Sequence, residues 1–171
     1  MAGRREWGEA YLRQSQADLA AALLVQAREP SVLAMLLQMT FEKAAKGILL
    51  LGRQIDVDKA TSSHVAASLL VAHFKREPDL LRVLGGSPHA YRDVLPLVVE
   101  LERLNPAVVK ASGSGLPQLE YPWEVAATGE VCWPSRDLGI AHRLGDPNST
   151  EAQRLTRFAE ALLANAYTLT P

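Results

Sequence analysis

Residues 36–52, LLQMTFEKAAKGILLLG, read as a helix that is apolar on almost every side, with Gln38, Glu42 and Lys46 recurring at i, i+4 and i+8. A helix that is apolar nearly all round belongs at the centre of a bundle. The polar row on it must then meet a wet groove, a partner chain or compensating side chains, because an unpaired polar group is costly to bury. This one segment sets the fold class and marks the first candidate site.

The remaining segments fit around it. A first helix over 5–28 places Trp7, Tyr11, Gln14, Asp18 and Val25 on one stripe, with Leu12, Leu19 and Leu23 beside it. Glu29-Pro30-Ser31 breaks that helix, and Ser31 is placed to cap the central one, which runs over 32–51 and closes with Gly52 in the C′ role. Thr61, Ser62 and Ser63 offer N-caps for a third helix over 65–75 that stops near Pro78. Ser87-Pro88 is a start signal for a fourth, which carries Tyr91, Val94, Leu95, Val98, Leu101 and Leu104 and should kink at Pro96. The last opens on Thr150 and Gln153 as a capping box and aligns Leu155, Phe158, Leu162 and Ala166. Between them, over 111–148, helical period gives way to glycine and proline, with Glu130-Val131-Cys132-Trp133 as a strand-like piece fit to pair locally and Trp123 and Trp133 placed to pin the excursion to the bundle. The expected architecture is all-α: one domain over 1–171, an antiparallel bundle of four to five helices with one long irregular loop before the last helix.

Charge and cysteine usage narrow the function classes. Lys plus Arg number 18 against 19 for Asp plus Glu, a net charge of -1, so no global basic field draws the chain to nucleic acid and any such binding needs a local patch. Cys132 is the sole cysteine, which points to a reducing compartment. The basic start lacks an apolar h-region, and the apolar run 47–52 is too short to span a bilayer, so no membrane role and a cytoplasmic setting are expected. His73 and His89 have no partner at metal-ligand spacing and no HExxH occurs, so no metal is expected. No GxGxxG or Walker A loop is present, and Gly113-Ser114-Gly115 lacks a following lysine and helix, so no cofactor is expected.

Three short motifs are similar to the HEPN superfamily of small helical bundles. Asp18-Leu19 with Ala22 resembles its DLxxA pattern. Gln38, Glu42-Lys43 and Lys46 resemble its QxxxEKxxK second-helix signature, followed by Gly52 and by His64 before the next helix. Tyr121-Pro122 resembles its RYP, although Glu120 stands where the pattern has arginine. The resemblance implies a homodimeric bundle of four to five helices. It also implies a role near nucleotides or RNA, often beside a nucleotidyltransferase-type partner in prokaryotic toxin–antitoxin or defence systems. Asp18, Gln38, Glu42, Lys43, Lys46, His64 and Tyr121 then become candidates for a ligand or partner groove.

Ribonuclease members of that superfamily use Arg-x(4–6)-His near the last helix, and Arg136 to His142 fits with five residues between. The histidine would handle the 2′-hydroxyl or leaving-group proton and the arginine would stabilise phosphate charge, without a metal. With 13 arginines and four histidines in 171 residues, chance supplies about one such match, and Arg82 to His89 is indeed a second. Asp18 can equally form a structural ion pair with Lys43 or Lys46, Glu42–Lys46 an i,i+4 pair, and Arg136, Arg143, Arg154 and Arg157 a basic patch or a solvated face. Three readings follow: a non-catalytic nucleotide- or RNA-binding module with a partner chain, which the neutral charge favours; a metal-independent endoribonuclease using Arg136 and His142; and a helical scaffold.

Overall fold

The computed structural model describes residues 2–25, 28–85, 91–113, 115–146 and 148–170. Ten helices and one small sheet make up the described residues. The first two helices, α1 (Arg4–Val25) and α2 (Pro30–Leu51), form an antiparallel hairpin: Gly8 lies against Gly47 and Leu51, and Ser15 Oγ donates to the Thr40 carbonyl at 2.7 Å. Their close approach depends on missing side chains. A Cβ on Gly8 would stand 2.8 Å from Leu51 Cγ, and one on Gly47 would stand 2.7 Å from Leu12 Cγ and 3.0 Å from the Gly8 carbonyl oxygen. The face that α1 buries is therefore Gly8, Leu12, Ser15, Asp18, Leu19 and Ala22. Trp7 lies off the expected stripe, at the rim, where its ring meets Tyr11 at 6.0 Å.

Helix α2 starts at Pro30, two residues earlier than a Ser31 cap would place it, because proline at N1 already has helical φ and lacks the amide that would go unpaired. At its other end Gly52 is the C-cap rather than C′. Arg53 takes the C′ position with φ 56°, its amide reaching the Leu50 carbonyl while the Gln54 amide reaches that of Leu49, the paired bonds of a Schellman motif.

The serine-threonine run expected to cap the third helix instead closes α3 (Val57–Ser62), a short helix that Asp56 opens by accepting the Lys59 amide at 2.7 Å. Helix α4 (Ala66–Arg76) follows, then the single turn α5 (Leu80–Val83). Ser87, Pro88 and His89 lie outside the described residues. Helix α6 (Val94–Arg103) takes Pro96 in its first turn, where its missing amide breaks no helical bond, so the expected kink has no cause. Asn105 then caps α7 (Pro106–Ser112) through the Ala107 amide.

The long loop over 111–148 is partly a correction. It holds a hairpin, β1 (Trp123–Val125) paired with β2 (Glu130–Cys132) in the register Trp123 to Cys132, and two short helices, α8 (Pro134–Asp137) and α9 (Gly139–Gly145). Strand β2 falls on the strand-like piece expected at 130–133, whereas α9 commits itself only through Ile140, Ala141 and Leu144, which bury against α2. Trp123 is buried as expected, whereas Trp133 stays largely in solvent. Helix α10 (Thr150–Ala164) is capped by Ser149, whose Oγ accepts the Ala152 amide, so Thr150 is its first helical residue and not its cap. The α10 ring of Phe158 gathers Phe41 of α2 at 5.9 Å, Phe74 of α4 at 6.4 Å and Tyr91 at 5.1 Å, which fixes the centre of the core. No helix among the described residues is long and apolar enough to cross a membrane.

Candidate functional site

The polar row of α2 faces inward, and its charges are answered within the chain. Glu42 is the hub. Its Oε1 takes Lys46 Nζ at 2.7 Å and His64 Nδ1 at 3.1 Å, and its Oε2 accepts from Gln38 Nε2 at 2.9 Å and Asn105 Nδ2 at 3.1 Å. Three parts of the chain thus meet on one carboxylate: α2, the α3–α4 connection, and the cap between α6 and α7. Burial alone would push the Glu42 carboxyl up, but hydrogen bonds from Lys46 and Gln38, with the charges of Lys46 and His64, hold it below its ordinary value. Lys46 is 4 % exposed and lies 5.5 Å from the centroid of the Tyr11 ring. Gln38 is fully enclosed as well, so His64, with 42 % of its side chain exposed, is the network's route to solvent.

A second buried carboxylate lies next to this hub. Glu102 of α6 accepts the amides of Ala67 at 2.7 Å and Ser68 at 3.0 Å, together with the Ser68 hydroxyl, and so caps α4 from across the bundle. Burial pushes its carboxyl up despite those bonds, and the Glu42 charge adds to the rise. The sequence reading missed Glu102 and Asn105, because both sit on an ordinary amphipathic stretch with no motif around them. Asp18 is buried too. It receives Gln14 Nε2 at 2.9 Å and Lys43 Nζ at 2.5 Å, a pairing that leaves Lys46 to Glu42. Asp18 and Lys43 therefore bridge α1 to α2. Tyr121 stands apart, 58 % exposed, beside Pro106, Lys110 and Leu116 on a shallow pocket of the α7 end.

The Arg136–His142 pair is assembled differently from a phosphate-facing pair. The Arg136 guanidinium meets Asp137 at 2.7 Å, Glu130 at 3.1 Å and the Val131 carbonyl at 3.2 Å, and it stacks on the Trp133 ring at 3.7 Å. His142 Nε2 lies 2.7 Å from the Arg136 carbonyl oxygen, which can only accept, so that nitrogen is the donor. The arginine charge locks the hairpin to α8, and the histidine ties α9 to α8. Two of the other expected patch members are paired as well: Arg143 with Glu100 and Glu151, each at 2.8 Å, and Arg154 with Asp93 at 3.2 Å. Arg82 of the second match pairs with Asp79 at 3.1 Å, and His89 lies outside the described residues.

A cationic cleft that no motif announced opens where α1 begins and α2 ends. One part, of about 460 Å³, is lined by Arg4, Arg5, Leu51, Arg53, Tyr167 and Thr170; the adjoining part, of about 380 Å³, shares Arg4 and Arg53 and adds Lys59. Its residues come from four separate segments, so no local spacing betrays it. Among the described residues no group of three or more His, Cys, Asp or Glu side chains is arranged to hold a metal ion. Comparison with family models, with curated proteins and with solved structures finds no match to this chain.

Proposed function

We propose that the chain is a HEPN-like helical module that works as a dimer, binds a nucleotide or RNA without cleaving it, and acts beside a partner chain such as a nucleotidyltransferase in a cytoplasmic toxin–antitoxin or defence-type system. The observation that carries the reading is the convergence of the second-helix pattern on one carboxylate. Gln38, Lys46 and His64 all bond Glu42, so residues spread over 27 positions of sequence form a single unit. Such a unit rigidifies the bundle and leaves one imidazole at its edge. Binding is preferred to cleavage because the Arg136 guanidinium is already paired with Asp137 and Glu130 and stacked on Trp133.

Incubation with RNA in EDTA, thermal melts with ATP or GTP, and light scattering test the reading together. Intact RNA, a nucleotide-dependent rise in melting temperature and a dimeric mass support it. RNA cleavage abolished in both Arg136→Ala and His142→Ala would replace it with the metal-independent endoribonuclease. A dimer with neither property would leave a scaffold.

A further inference from the structure

The cleft between the start of α1 and the end of α2 is net positive, with Arg4, Arg5, Arg53 and Lys59 against the carboxylate of Asp56 among the described residues that line it. Arg4, Arg53 and Lys59 make no ion pair with any described residue, whereas Arg5 beside them is held by Glu9 at 2.9 Å. The one carboxylate lining the cleft among the described residues, Asp56, spends one oxygen on capping α3 and keeps its charge, which leaves the lining cations in excess. Unpaired guanidinium groups gathered in a concavity favour an anion there, and arginine's planar fork matches phosphate oxygens two at a time.

Arg53 adds an independent sign. It is the one non-glycine residue with positive φ among the described residues, at the C′ position where glycine ends most such helices. Gly52 stands one residue too early to serve. A side chain kept at a left-handed position is kept at a conformational cost, and here that side chain lines the cleft. Tyr167, 61 % exposed, lines the same part of the cleft as Arg4 and Arg53 and offers an aromatic face for stacking. The volume falls within the range of small-molecule sites.

We propose that this cleft seats a nucleoside polyphosphate, its phosphates against Arg4, Arg53 and Lys59 and its base on the Tyr167 ring. The assignment rests on the binding function proposed above and gives it a location away from the Glu42 hub.

Calorimetry on the full chain, with ATP, GTP, inorganic triphosphate and a short RNA as separate titrants, tests it. Arg53→Gly should fold with an unchanged or higher melting temperature, since it relieves the left-handed strain, yet weaken ATP or GTP about tenfold or more. Tyr167→Ala should weaken the nucleotides and leave inorganic triphosphate unaffected. Wild-type protein that binds nucleotide, with Arg53→Gly and Arg4→Ala binding equally well, overturns the site and leaves the function standing. RNA binding without mononucleotide binding overturns the ligand class. Wild-type protein that binds none of the four titrants overturns both.

Discussion

His64 Nδ1 lies 3.1 Å from Glu42 Oε1, so a half-exposed imidazole rests on a carboxylate that is otherwise enclosed by Gln38, Lys46 and Asn105. Because the folded chain holds the Glu42 carboxyl below its ordinary value of 4.5, the ionised form is favoured by folding. That contribution is fully present above the ordinary carboxylate range and is lost as pH falls through the lower folded value. Urea unfolding followed from pH 7 downward should show wild-type stability falling on the acid side of pH 4.5, with a gentler fall in Glu42→Gln. Equal acid limbs in the two proteins would place the acid-sensitive group elsewhere.

Glu102 carries the opposite sign. Its folded value is raised, so the unfolded chain gives up this proton more readily, and ionisation at neutral pH costs the folded state. Acidification from above the raised value towards the ordinary 4.5 therefore adds stability. The gain should be absent in Glu102→Gln, which keeps one acceptor for the α4 amides. The measurement is the difference between wild-type and variant unfolding free energy across that window. A difference that does not change with pH would mean that Glu102 is ionised at no net cost.

Much of the bundle was legible because its signals are periodic and long. The apolar run of α2, the Leu101-to-Val94 face of α6 and the Phe158 face of α10 each repeat over several turns and bury as the spacing dictates. The polar row of α2 was legible as a row, and so was the need for something to answer it. What answers it was not, because His64 and Asn105 reach Glu42 across 22 and 63 residues of chain. Short elements were legible only in part: the strand-like piece at 130–133 pairs as β2, but its partner β1 has too few residues to alternate visibly, and α3 is a six-residue helix whose end overlaps the expected caps Thr61 and Ser62. The cationic cleft shows the limit most clearly. Arg4, Arg53, Lys59 and Tyr167 share no spacing, and a net charge of -1 conceals a local cluster.

Glycine offers a test of the α1–α2 crossing. Helix propensity alone makes Gly47→Ala favourable by about 1 kcal/mol. The new methyl, however, would stand 2.7 Å from Leu12 Cγ and 3.0 Å from the Gly8 carbonyl oxygen, and backbone cannot yield as a flexible side chain does. Overpacking costs about 1–3 kcal/mol, so Gly47→Ala should lower stability on balance. Gly139→Ala is the control, since no atom lies within 4 Å of its Cβ position, and it should be neutral or stabilising by up to about 1 kcal/mol. Thermal melts of both variants decide the matter, and a stabilised Gly47→Ala would mean that the helices are farther apart than described.

The Glu42–Lys46 pair predicts an asymmetry between its two halves. Glu42 has three further partners in Gln38, His64 and Asn105, so Lys46→Met leaves the carboxylate still hydrogen-bonded. Lys46 has Glu42 at 2.7 Å and, beyond it, the Tyr11 ring at 5.5 Å, so Glu42→Leu strands an enclosed ammonium. Removing one partner of a buried pair costs about 3–5 kcal/mol, whereas replacing both with apolar groups is often close to neutral. Glu42→Leu should therefore be the more damaging single change. The double variant should recover a large part of the loss, short of full recovery because Asn105 and Gln38 lose their acceptor. A double-mutant cycle in urea gives the coupling directly, and it should exceed about 1 kcal/mol. Equal single-site losses that simply add would mean that Lys46 is neutralised by something other than Glu42, and that the hub is not the unit its distances describe.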